Sequence, residues 1–148
     1  MTPTPDLAGA FSSGRLEIIW TAADAAGNTA IASQILEIRP IANWQPDQIA
    51  SEGREVSLQV FLSGPAIRYP LTLPPSAGGS ADAADFVAVP GSITIESGTS
   101  GSVSLSAIAD GVDEGIETLE LALAATAESV AGASVSLRLA ISDTNLPP

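Results

Sequence analysis

The stretch IETLELALAATAESVA, residues 116–131, decides the fold. It is rich in helix formers, and propensity alone would make it a helix. The placing of its apolar residues says otherwise. Leu119, Leu121 and Leu123 alternate with Glu120 and Ala122. That is a period of two, the period of a strand half-buried in a sheet; a helix would repeat at three and four. Read as a strand over 117–127, the stretch leaves the chain all-β.

Working outward, short strands come at close spacing. Upstream lies an acidic loop, DGVDEG at 110–115, and before it a strand over 102–109. Strands over 86–89 and 92–96 flank a Pro90-Gly91 turn, and 74–84 reads as a long Gly/Pro/Ser loop. A strand over 67–73 contains Pro70, which pushes it to a sheet edge. Residues 54–62 alternate well, and 40–50 read as a connection that opens the unit. Downstream, 133–142 form the last strand. Many short strands with frequent turns predict an antiparallel, immunoglobulin-like β-sandwich over residues 41–145. Residues 146–148 read as a linker.

The first 40 residues stand apart. Residues 1–14 are a polar lead-in, and 15–23 (RLEIIWTAA) and 29–39 (TAIASQILEIR) read as two strands around an Asp24-Ala25-Ala26-Gly27-Asn28 turn. A lone hairpin is marginal in water. Its pattern, Ile19-Trp20-Thr21-Ala22 followed by Asp24-Ala25-Ala26-Gly27-Asn28-Thr29-Ala30, resembles the last two strands of bacterial immunoglobulin-like (HYR-like) repeats. The resemblance implies that residues 1–40 are the closing hairpin of a preceding domain. The hairpin's open edges also suggest homodimerisation through it.

Composition narrows the chemistry. There are 17 acidic residues against five basic ones, a net charge of −12, and all five basic residues are arginine. Such a surface repels nucleic acid and anionic membranes, and it attracts cations. With no His, Cys or Lys, a Ser-His-Asp relay, a thiol nucleophile, a His/Cys zinc site and Schiff-base chemistry are all ruled out. The chain is therefore not expected to be an enzyme. No apolar run reaches the roughly 20 residues of a membrane-spanning helix. Residues 1–15 lack the pattern of a signal peptide, so any export signal is expected outside this chain.

Residues 48–145 resemble the Calx-β family, the calcium-binding sandwich module of sodium–calcium exchangers and many bacterial surface proteins. Glu52-Gly53 precedes the first long strand. Gly79-Ser80-Ala81 followed by Asp85-Phe86 resembles the family's Gly-Thr-Ala…Asp-Tyr signature, and Pro90-Gly91-Ser92-Ile93-Thr94-Ile95 follows it. Asp110-Gly111, Glu114 and Glu117-Thr118-Leu119 resemble its acidic loop entering a strand. Ile141-Ser142-Asp143 resembles its closing acidic run. The resemblance implies calcium at one end of the sandwich, with Glu52, Asp85, Asp110, Glu114, Glu117 and Asp143 as ligands. Calcium takes six to eight oxygens at about 2.3–2.6 Å. Gathered carboxylates repel one another without a cation or a proton among them.

The match is incomplete. Ala109 and Gly111 flank Asp110, and Thr144 and Asn145 follow Asp143, where full sites carry runs of Asp. One or two modestly held calcium ions are expected, and a metal-free spacer is the alternative. A glycan- or protein-binding module is a third reading, in which Trp20 and Trp44 would offer a sugar platform. Asp24 and Asn28 could hold calcium at a domain junction, but they read more simply as turn residues. Ser57, Ser102, Ser104 and Ser106 lack any base to activate them. Glu114 and Glu117 could be drawn as a glycosidase pair, yet only 4% of residues are aromatic, too few to grip a sugar. The function implied is a structural or adhesive module of an extracellular, multidomain bacterial surface protein, in contact with neighbouring domains.

Overall fold

In the computed structural model, residues 2–5, 11–87, 91–133 and 136–142 are described; every regular element among them is a strand. Asp143 and residues 146–148, expected as a ligand and a linker, lie outside the described residues. Among the described residues, no helix is long and apolar enough to cross a membrane.

The sandwich begins where a connection was expected. Ile41–Trp44 (β4) and Gln48–Ser51 (β5) are strands, one in each sheet. Thr4–Pro5 (β1), Gly14–Ala23 (β2) and Thr29–Ile38 (β3) precede them in the chain and belong to the hairpin. The chain crosses between the sheets at Gln45-Pro46-Asp47. The Gln45 N–H still donates to Gln59 O of the first sheet at 2.9 Å, while Asp47 Oδ1 already accepts the Arg138 N–H of the second at 2.9 Å. Pro46 cannot donate to a ladder, so the switch costs no hydrogen bond there.

Glu55–Leu62 (β6) alternates as its sequence does, with Leu58, Val60 and Leu62 turned inward. Leu71–Leu73 (β7) and Ile93–Ile95 (β9) form a small antiparallel ladder. β7 is shorter than expected, beginning only after Pro70. Pro75–Gly79 (β8) lies inside the expected loop; it has no large apolar side chain to signal a strand and is held by backbone pairing to Ile116–Leu123 (β11). Ser100–Ser106 (β10) pairs with β6 over seven residues. Val130–Ala131 (β12) and Ser136–Ser142 (β13) complete the set. Of the strand expected at 86–89, the described residues show one bridge, Phe86 to Ala107; residues 88–90 lie outside the described set.

β11 is a strand, as its period of two requires. Leu119 lies opposite Leu139 and Leu121 opposite Leu137 of the antiparallel β13, and these four, with Leu123 and Ile141, are buried. One sheet runs β10-β6-β4-β12 and the other β5-β13-β11-β8. The core between them is aliphatic, with Trp44 its only tryptophan. Two pairings, β12 with β4 and β13 with β5, are parallel. They follow from the split first strand, which runs alongside the closing strands of both sheets, so the expected purely antiparallel sandwich is mixed at these edges.

The hairpin forms its own sheet outside that core. Thr4–Pro5 (β1), Gly14–Ala23 (β2) and Thr29–Ile38 (β3) pair in that order, all antiparallel. Asp24 closes the turn. Its Oδ1 accepts the Ala26 and Asn28 N–H groups at 2.9 Å, and its Oδ2 accepts the Asn28 side-chain amide at 2.7 Å. The hydrogen bonds from Asn28 hold the Asp24 carboxyl below its ordinary value. The hairpin touches the sandwich through the Ser13 hydroxyl, which donates to Pro65 O at 2.8 Å. Arg68 adds a second tie, bridging Glu37 at 3.2 Å and Glu128 at 3.3 Å.

Candidate metal site at one end of the sandwich

The site is built by a loop stapled onto β11. At Gly79 the backbone has φ +109°, and a Cβ would lie 2.2 Å from Thr118 O, so only glycine allows this approach. The next two residues fasten the contact. Ser80 Oγ accepts the Thr118 N–H at 3.0 Å, and the Ala81 N–H donates to Thr118 O at 2.9 Å. The chain then turns tightly, with Asp82 Oδ1 accepting the Ala84 N–H at 2.7 Å and the Asp85 carboxylate accepting the Asp82 N–H. Asp85 is thereby delivered, only 9% exposed, beside the residue preceding Thr118, which is Glu117. The Gly-Ser-Ala…Asp pattern thus acts as a positioning device.

Asp85, Glu114 and Glu117 converge, each with a carboxylate oxygen within 4.8 Å of the other two. Two oxygens on opposite sides of a calcium ion lie about 4.8 Å apart, twice the usual bond of about 2.4 Å. The donor set is carboxylate only, which suits a hard cation and not a soft one. The crowding shows in the protonation of Glu117. Hydrogen bonding to Asp85, burial, and the negative charges of Asp85, Glu114 and Asp82 together push its carboxyl from 4.5 up to about 7. Without a cation, the cluster is relieved by holding a proton.

The other expected ligands are placed differently. Glu52 is buried, 7% exposed, at the end of β5, where its N–H donates to Ser142 O at 3.1 Å. It neighbours the site through shared backbone: the Gly53 N–H donates to Ala107 O at 3.0 Å, and the Ile108 N–H donates to Asp85 O at 2.8 Å. It is not in the converging set. Nor is Asp110, whose Oδ1 accepts the Val112 N–H at 2.8 Å and closes a turn. Asp143 falls outside the described residues. Asp82 was not singled out in the sequence, although it acts on Glu117; its place three residues before Asp85 in the same turn is the signal that could have found it.

The sugar platform does not form from both tryptophans. Trp44 is a core residue, 3% exposed, while Trp20 sits on the separate hairpin with its indole N–H donating to Gln34 Oε1 at 3.1 Å. Trp44 fills the sandwich interior because β4 belongs to the sheet.

No family model matches the sequence, and no curated protein matches it. Among solved structures, the chain is similar to the apo-form Calx CBD1 domain, with a TM-score of 0.55 and 15% identity over 71% of this chain and 97% of that one. At that identity the likeness speaks for the fold: an all-β, Calx-β-like sandwich.

Proposed function

We propose that this chain is a calcium-binding structural module of a multidomain, exported bacterial surface protein. The convergence of Asp85, Glu114 and Glu117 within 4.8 Å carries the reading. It is supported by the likeness to a Calx domain crystallised in its apo form and by the acidic surface, which concentrates cations. Asp85 and Glu117 belong to sequence stretches that resemble Calx-β signatures, and they come from opposite sides of one staple. Calcium between them replaces repulsion with coordination and locks the 79–85 loop to β11. β13 closes its ladder at Ser142, opposite Ile116. The site is therefore beside the end from which a following domain would extend, and a filled site stiffens that junction. Three close carboxylates without a run of Asp point to modest affinity.

Calcium titration by calorimetry, run in parallel on Asp85→Asn, tests this. A saturable heat in the wild type that is lost in the variant supports the proposal. No saturable heat in the wild type makes the module a metal-free spacer.

A further inference from the structure

The hairpin sheet has two unlike edges. β1 is two residues long and contains Pro5, which cannot donate, so that edge is blunted against further pairing. β3 is ten residues long and has no strand on its outer side among the described residues. From Thr29 to Leu36 it carries no charge and no proline, the usual guards of an edge. Glu37, the first charge, is held by Arg15 at 3.7 Å and Arg68 at 3.2 Å. On one face of this open edge Ile31 is 71% exposed and Ile35 44% exposed, with Ile19 of β2 opposite Ser33 between them.

The sequence of the edge is self-complementary. Ile31-Ala32-Ser33-Gln34-Ile35 places isoleucine symmetrically on either side of Ser33. A two-fold axis normal to the sheet makes two copies of a strand antiparallel and sets same-face residues opposite one another. With the axis at Ser33, Ile31 of each copy faces Ile35 of the other. Centred on Gln34, the same operation would set Ile31 against Glu37; centred on Ala32, Ile35 against Thr29. The Ser33 register is the one that pairs both isoleucines with isoleucine, and such cross-strand apolar pairs are what stabilise a seam.

We propose that a second copy of this chain pairs with the first along β3, antiparallel and centred on Ser33, giving a continuous six-stranded sheet across the two molecules. The closed two-fold arrangement uses the unguarded edge once per copy and leaves the Pro5 edges outermost, so assembly stops at the dimer. The metal site lies in the sandwich, so dimerisation does not depend on calcium.

Size-exclusion chromatography with light scattering on the 148-residue chain, at tens of micromolar and with calcium or chelator, is expected to give a dimer in both. Ile31→Lys with Ile35→Lys puts like charges opposite one another twice and is expected to weaken the dimer at least about tenfold. Ile31→Glu with Ile35→Lys puts opposite charges in the same places and is expected to restore it. Both positions are exposed, and an unchanged melt of the sandwich shows that each variant folds. A monomeric wild type, meaning that the edge takes some other strand or none, overturns the proposal. So do open-ended assemblies, or opposite-charge variants no more dimeric than like-charge ones.

Discussion

Glu117 is pressed toward its protonated form by hydrogen bonding to Asp85, by burial and by the negative charges of Asp85, Glu114 and Asp82, which all raise its carboxyl. An acid whose value is higher in the folded than the unfolded chain holds its proton more tightly when folded. This group therefore favours folding most below about pH 4.5, and that contribution is lost as pH rises toward about 7. In chelator, the melting temperature is expected to fall across that window more steeply in wild type than in Glu117→Gln, measured by calorimetry over a pH series. Saturating calcium, which holds the carboxylate form, is expected to flatten the fall. Gly79 works on the same site from the backbone side. Gly79→Ala must place a Cβ against Thr118 O at positive φ, and a loss of about 1–3 kcal/mol in urea unfolding is expected. At this scale the sequence was legible where a motif has one geometric use. Gly79, Ser80, Ala81 and Asp85 were picked out through their resemblance to the Calx-β Gly-Thr-Ala…Asp-Tyr signature, and the structure gives that pattern its geometric use. Asp110 could not be sorted from the others, because a carboxylate that closes a turn and one that faces a cation look alike until the backbone N–H of Val112 is placed.

Among the elements, alternation was the dependable guide. β6, β11 and β13 each bury every second residue, and their sequences say so. Leu139 sits fully buried at the middle of the β11–β13 ladder, and Leu139→Ala is expected to cost about 2–5 kcal/mol by equilibrium denaturation, from lost burial plus the cavity left behind. The strands that escaped notice lack that pattern. β8 is made of Pro, Ser, Ala and Gly and exists because β11 offers it a ladder. β4 and β5 are four residues each, too short for a period to show, and Pro46 between them reads as a loop when it marks a change of sheet. Asp47→Ala removes the acceptor for the Arg138 N–H at that crossing, and about 1 kcal/mol of destabilisation is expected by the same measurement. The hairpin was legible as two strands and a turn, since Asp24 and Asn28 have clear local roles. Its third strand, β1, is two residues long and left no signal.

Over the whole molecule, an aliphatic core between two sheets supplies the scaffold, and a net charge of −12 is carried outside it. The fold could be read from composition and period because burial depends on them directly. The site was harder to read, since ligands must meet in space and their meeting depends on loops that no period describes. The central claim is that calcium binds the folded state through Asp85, Glu114 and Glu117 and stabilises it by mass action. The direct test is calorimetric melting at pH 8 in calcium and in chelator at matched ionic strength, for wild type, Glu117→Gln and the control Asp113→Asn. With calcium about a hundredfold above its Kd, stabilisation of about 2.7 kcal/mol is expected, which raises the wild-type melting temperature by about 5–10 °C. The control should show the same rise and Glu117→Gln should lose it. Identical wild-type melts in calcium and chelator, or an equal rise in all three proteins, would contradict the claim.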